Sequence, residues 1–126
     1  MKKYTLFQKS ILNELDEFDE FDIILSIPWY KEVILKEDIL NPIWDYKENF
    51  EISDNDFDKM RNEVLDLMEK EDLGLYIDIY TGGKTWEESY KKLSNEDTSN
   101  FFSNKENWIW KEGGEVYYLI RNSDIP

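Results

Sequence analysis

The chain has 126 residues, a length that fits one domain with a core of its own. Hydrophobic residues make up 40% of it and aromatic residues 16%, which excludes an acidic disordered tail despite a formal net charge of -14. Cysteine and histidine are both absent, which excludes disulfides, thiol nucleophiles, imidazole bases and every zinc site except an all-carboxylate one.

The N-terminal part is predicted to be helical. Apolar residues recur at spacings of three and four over residues 4–18, which is typical of an amphipathic helix. Residues 21–25 fit either a short strand or a continuation of this helix. Pro28 suits the first turn of a second short helix, which we expect from Trp29 to about Leu35.

A second long helix is predicted in the middle of the chain. Asn41-Pro42 breaks the helical pattern, and residues 43–52 lack clean periodicity, so these ten residues are expected to form a loop or irregular segment. Ser53 with Asp56 three residues later resembles a capping box, and an apolar stripe then favours a helix from Asp54. We expect Gly74 to end this helix as a left-handed cap.

The C-terminal half is predicted to be mixed. Residues 75–80 alternate as a strand does, and Gly82-Gly83 then turns the chain into a short helix. Residues 94–105 are polar around a Phe101-Phe102 anchor.

A terminal hairpin is predicted next. Apolar runs at 108–110 and 116–120 flank a Gly-Gly turn, with Trp108 and Trp110 on one strand face. The prediction is a single domain over residues 1–126, an α+β fold with N-terminal helices packed on a small, mainly antiparallel C-terminal sheet.

Two motifs resemble ligand sites without completing them. Residues 80–85 place Gly-Lys-Thr between a strand and a helix, but a phosphate-binding loop needs glycine where Asp78 stands. Residues 54–58 carry oxygens at the first places of a calcium loop, but Lys59 and Leu65 occupy the places that need glycine and glutamate. We therefore expect no catalytic residue, cofactor or metal, with a carboxylate-metal or phosphate-handling enzyme using residues 81–85 as an alternative.

The negative charge is concentrated in one third of the chain. Residues 37–72 hold thirteen acids and four bases, a net charge of -9, against -2 for residues 1–36 and -3 for residues 73–126. Such a surface repels nucleic acids and anionic lipids and attracts basic proteins. No apolar stretch approaches the length of a membrane span or signal peptide, so we expect a cytoplasmic protein with a basic protein partner.

The candidate binding residues lie in this segment. Trp44 and Tyr46 fit two interpretations: aromatic anchors of a binding hot spot, or side chains that clamp a loop onto the core. On the following helix, acids outside the core stripe are expected to form a uniformly negative face of like charges. The predicted partner-binding residues are Trp44, Asp45, Tyr46, Glu48, Glu51, Asp54, Asp56, Asp58, Asp66 and Glu69.

The acidic stretch 45–72 with Trp44 and Tyr46, in a chain without cysteine, histidine or an enzyme motif, resembles the small cytoplasmic immunity proteins of bacterial contact-dependent inhibition and other polymorphic toxins. The resemblance implies a protein that caps a basic toxin domain, often a nuclease, at its active site or an adjacent surface. A nucleic-acid mimic that inhibits a host or phage nuclease is the alternative within the same class.

Overall fold

The structure is a computed structural model that describes residues 3–23, 26–31, 33, 52–78, 90–108 and 115–125. These residues form an α+β fold, which confirms the predicted fold class. In chain order the elements are α1 (Leu6–Phe18), β1 (Glu20–Asp22), α2 (Ser26–Tyr30), α3 (Asp54–Glu71), β2 (Leu73–Asp78), β3 (Tyr90–Lys92), α4 (Asn95–Ser103), a 3-10 helix (Lys105–Trp108), β4 (Tyr117–Arg121) and a second 3-10 helix (Asn122–Asp124).

A complete capping box starts α1. The Gln8 backbone N–H donates to Thr5 Oγ1 at 3.1 Å, and the Thr5 N–H donates to Gln8 Oε1 at 3.0 Å, so two helix-end donors are satisfied. The helix therefore begins two residues later than predicted. It ends where Asp19 adopts a left-handed conformation at φ 66°.

The predicted start of α3 is confirmed, and its predicted end is wrong. Ser53 Oγ accepts the Asp56 N–H at 3.2 Å and donates to the Asp56 carboxylate at 2.9 Å. The left-handed cap is Asp72 at φ 51°, whose N–H donates to Met68 O. Gly74 instead lies inside β2.

The described strands form one four-stranded antiparallel sheet in the order β1-β4-β2-β3. β1 pairs with β4 through Asp22 and Tyr118, so the first strand comes from the N-terminal part of the chain. β2 begins two residues before the predicted strand 75–80.

The predicted hairpin between 108–110 and 116–120 is wrong where the structure describes it. Both edges of β4 are occupied by β1 and β2, and Trp108 ends a 3-10 helix rather than lying in a strand.

The core lies between one face of the sheet and the helices. α1 contributes Phe7, Ile11 and Leu15, all fully buried. Full burial of such a side chain stabilises the fold by about 1.5–3 kcal/mol. α3, the sheet and the C-terminal helices add Phe57, Met60, Val64, Leu67, Phe21, Leu73, Leu75, Leu119, Phe101, Phe102 and Trp108. Ile23, Ile27 and Tyr30 belong to the same cluster.

The polar stretch 94–105 contains a helix that the sequence pattern did not predict. Ser94 caps α4 by accepting the Asp97 N–H at 3.1 Å. Phe101 and Phe102 are buried as expected, and Trp108 Nε1 donates to Phe102 O at 3.3 Å.

Other predicted elements are tested only in part. α2 begins at Ser26 rather than Trp29, and the continuation predicted for it over residues 34–35 lies outside the described residues. The predicted loop 43–52, except for Ile52, and the turn and helix predicted after Gly82-Gly83 also lie outside them.

Candidate functional site

The predicted binding residues divide into two groups. Trp44, Asp45, Tyr46, Glu48 and Glu51 lie outside the described residues. Their role in binding therefore stays a prediction.

The other five lie on α3. Asp54, Asp58, Asp66 and Glu69 are exposed outside the buried stripe of the helix, and we call these four residues the acidic face. Their exposure follows from the helix period, because none of them falls in the buried stripe of Phe57, Met60, Val64 and Leu67. Asp56 is half-buried and completes the cap with Ser53, so it has a structural role in starting the helix.

The acidic face is not uniformly negative, which corrects the expectation of an uninterrupted row of like charges. Lys105 Nζ lies 3.2 Å from Asp54 Oδ1, and Arg61 Nη2 lies 3.2 Å from Asp58 Oδ1. Lys70 Nζ lies 2.9 Å from Asp66 Oδ2. These intrachain cations offset part of the repulsion between the carboxylates.

Asp66 also holds two helices together. The buried Gln8 side chain of α1 donates through Nε2 to Glu63 O at 2.8 Å and to Asp66 Oδ2 at 2.9 Å. Hydrogen bonds from Lys70 and then Gln8 lower the pKa of the Asp66 carboxyl. A lowered carboxyl pKa contributes stability above the unfolded-state pKa that is lost as the pH falls through the folded-state value. Asp66 thus supports the fold, whatever it binds.

A cavity of about 280 Å³, which sequence reasoning missed, opens beside β1. We call it the β1 pocket. Its lining combines carboxylates with aromatic rings: Glu14, Glu20 and Asp22 with Phe18, Phe21, Trp29 and Tyr118.

Helix and strand periodicity bring these groups together. Glu14 and Phe18 are four residues apart on α1, so they share one side of its last two turns. Glu20 and Asp22 alternate with Phe21 along β1, and Asp22 faces Tyr118 across the β1–β4 ladder. The predicted apolar stripe of α1 included Phe18, but this side chain is 58% exposed at the pocket.

The aromatic wall is fixed by its own contacts. Trp29 Nε1 donates to Ser10 Oγ at 2.7 Å, and Ser10 Oγ donates to Phe7 O at 2.7 Å. The Trp29 ring meets Phe21 edge to face with centroids 5.8 Å apart. These contacts hold the Trp29 ring in one orientation.

The charged side chains that line the pocket are all acidic. None of its seven lining residues, all within the described part of the chain, is basic. Burial and the nearby Asp22 and Glu20 carboxylates raise the pKa of Tyr118 to about 12. Burial and the neighbouring Glu17 raise the pKa of Glu14, so the site disfavours adding more negative charge and would gain from a cation.

One carboxylate of the pocket is positioned by the neighbouring strands. The Tyr90 hydroxyl donates to Glu20 Oε2 at 2.6 Å, and the Tyr90 and Tyr118 rings pack edge to face with centroids 5.8 Å apart. Burial, followed by this hydrogen bond, raises the pKa of Tyr90. The tyrosine therefore stays a neutral donor that fixes Glu20 at neutral pH.

The pocket does have a sequence signal. Residues 14–22 read Glu-Leu-Asp-Glu-Phe-Asp-Glu-Phe-Asp, six acids in nine residues without a base. Averaging over residues 1–36, which include five bases, reduces this run to a net charge of -2. Counted by itself, the run 14–22 predicts a second acidic surface.

The metal and phosphate alternatives are tested only in part. Among the described residues, no group of three or more acidic side chains is arranged to hold a metal ion. The phosphate-loop-like residues 81–85 lie outside the described ranges. Within those ranges no helix combines the length and apolar character that crossing a membrane requires.

No protein-family model, curated protein or solved structure matches this chain.

Proposed function

We propose that this chain is an immunity-type inhibitor that binds a basic toxin domain, a nuclease being the expected class, and neutralises it stoichiometrically. The observation that carries the proposal is the acidic face of α3. The helix holds seven acids and three bases, and the side chains of Asp54, Asp58 and Asp66 remain 97%, 55% and 49% exposed. A capped helix of 18 residues presents these carboxylates on a rigid support.

The intrachain ion pairs of this face are compatible with docking. Exposed pairs of this kind contribute about 0–1 kcal/mol each. An arginine or lysine of a partner can therefore replace Arg61 or Lys105 at little cost. When a partner desolvates such a pair, the interaction becomes stronger than it is at the surface.

The formal net charge of -14 supports the same function through kinetics. A strongly negative protein attracts a basic partner over a distance of about 8–10 Å at physiological salt and accelerates encounter. Aromatic side chains that become buried at the interface then slow dissociation of the complex. Fast association is what an inhibitor needs when its toxin is active on arrival.

The test starts from the host genome. We would purify the basic protein encoded beside this chain and measure its binding and its toxic activity with and without the inhibitor. The proposal predicts a one-to-one complex, loss of toxicity on co-expression and association that slows as salt is raised.

A pair of double variants tests the acidic face itself. Asp58→Lys with Glu69→Lys changes that face, whereas Glu96→Lys with Asp124→Lys makes the same charge change at exposed positions outside α3. The first pair should weaken partner binding much more than the second. Equal effects would show that overall charge, rather than this face, governs the affinity.

A further inference from the structure

The β1 pocket differs from the acidic face in two of its carboxylates, those of Glu14 and Glu20. The four ion pairs found within the described residues involve neither Glu14 nor Glu20. A cation that enters the pocket therefore has no lysine or arginine to displace from these two groups. The acidic lining of the pocket therefore favours an occupant with a positive charge.

The size of the pocket limits what it can hold. Its volume of about 280 Å³ lies just below the roughly 300–1,000 Å³ typical of small-molecule sites. This volume suits one long side chain rather than a folded segment.

The walls favour a flat cation. Phe18, Trp29 and Tyr118 offer ring surfaces, and a guanidinium group stacks on such rings while it donates paired hydrogen bonds to carboxylates. Glu20, fixed by Tyr90, and Glu14, across from it on α1, are the acceptors. A lysine ammonium group lacks the planar fork that can stack on a ring and pair with carboxylates at the same time.

We propose that the β1 pocket receives a single arginine side chain from the basic partner. This inference rests on the proposed function for the source of the arginine, and it places a second contact outside α3. Phe18, 58% exposed at the rim, covers the aliphatic part of the incoming side chain.

The direct test uses a blocked amino acid as the probe. N-acetyl-arginine amide is titrated into the ¹⁵N-labelled protein, and the Trp29 indole N–H and the amides of residues 14–22 are followed by NMR. We expect saturable shifts confined to these signals, with weaker binding of N-acetyl-lysine amide and none of N-acetyl-glutamine amide.

Matched variants locate the effect. Glu14→Gln with Glu20→Gln should weaken arginine binding about tenfold or more, because two charge-assisted acceptors are lost. Glu96→Gln with Glu106→Gln removes the same charge at exposed positions outside both surfaces and should leave the shifts in place. Chemical-shift changes spread evenly over the surface would overturn the inference. An equal loss of arginine affinity in the two double variants would overturn it as well.

A second readout separates this inference from the proposed function. Phe18→Ala, at a side chain exposed enough to spare the core, should weaken binding of the basic partner protein and of the blocked arginine together. Partner binding unchanged by both Phe18→Ala and Glu14→Gln would overturn the pocket as a partner contact while the inhibitor function stands. Arginine binding without any basic partner would instead support the pocket chemistry and contradict the function.

Discussion

Replacing Gly74 by alanine tests the packing beside the end of α3. A Cβ atom at this position would lie 2.5 Å from Asn122 Oδ1 and 2.7 Å from Tyr76 Cε2. Asn122 cannot move freely, because its Oδ1 accepts the Tyr76 hydroxyl at 2.8 Å and its Nδ2 donates to Asp72 Oδ1 at 2.9 Å. The added methyl group must therefore break these contacts or shift the strand.

The expected cost follows from those two interactions. Overpacking of this kind costs about 1–3 kcal/mol, and the loss of one of the two hydrogen bonds adds about 1 kcal/mol. We expect Gly74→Ala to lower the free energy of unfolding by about 2–4 kcal/mol. Urea unfolding followed by tryptophan fluorescence measures it.

A double-mutant cycle identifies the cause. In an Asn122→Ala background the Gly74→Ala penalty should shrink, because the closest clash is gone and the hydrogen bonds are already lost. Had Gly74 been the left-handed helix cap that its sequence position indicated, the penalty would be about 1–2 kcal/mol and independent of Asn122. A penalty that is the same in both backgrounds would refute the packing explanation.

Three further predictions concern stability. Asp19→Gly should raise the free energy of unfolding by about 0.5–1 kcal/mol, because glycine adopts the left-handed φ of 66° without strain; Asp19→Asn, which removes the charge but keeps a side chain, should gain less in the same urea assay. Ser53→Ala should cost about 1 kcal/mol through loss of the α3 cap, whereas Ser99→Ala at an exposed site within α4 should cost less. Because the pKa of Glu14 is raised in the folded protein, its contribution to stability is greatest at acidic pH and falls as the pH rises through that pKa, so Glu14→Gln should gain stability relative to the natural protein between acidic and neutral pH; urea midpoints that keep a constant difference would contradict this.

The predictable parts of the fold are those whose signals are local. α1 and α3 carry strong apolar stripes and capping residues, and their starts were found to within two residues. α4 carries the same kind of cap at Ser94, but it buries only Phe101 and Phe102. Two adjacent apolar residues do not form a stripe with helical periodicity, so the sequence does not predict this helix.

The missed features depend on contacts between distant parts of the chain. β1 has three residues, and its partner β4 lies about a hundred residues away, so no local pattern indicates the pairing. The β1 pocket likewise combines the acidic run 14–22 with Trp29 and Tyr118. The run itself was visible in the sequence, but only the fold shows that aromatic rings face it.

The end of α3 shows how two interpretations of one residue type can be confused. Its position in the sequence predicts Gly74 as a cap, because glycine tolerates a positive φ. In the structure glycine is required there because Asn122 and Tyr76 approach too closely for a side chain. Asp72, two residues earlier, adopts the positive φ instead. Aspartate is one of the few other residues that enter this region readily.

The most direct test of the central claim is the binding of this protein to the basic product of the neighbouring reading frame, measured at low and high salt. The proposed function predicts a one-to-one complex that suppresses toxicity and whose association rate falls steeply as salt increases, with a smaller change in dissociation. Absence of a complex, or an association rate that does not respond to salt, would contradict it.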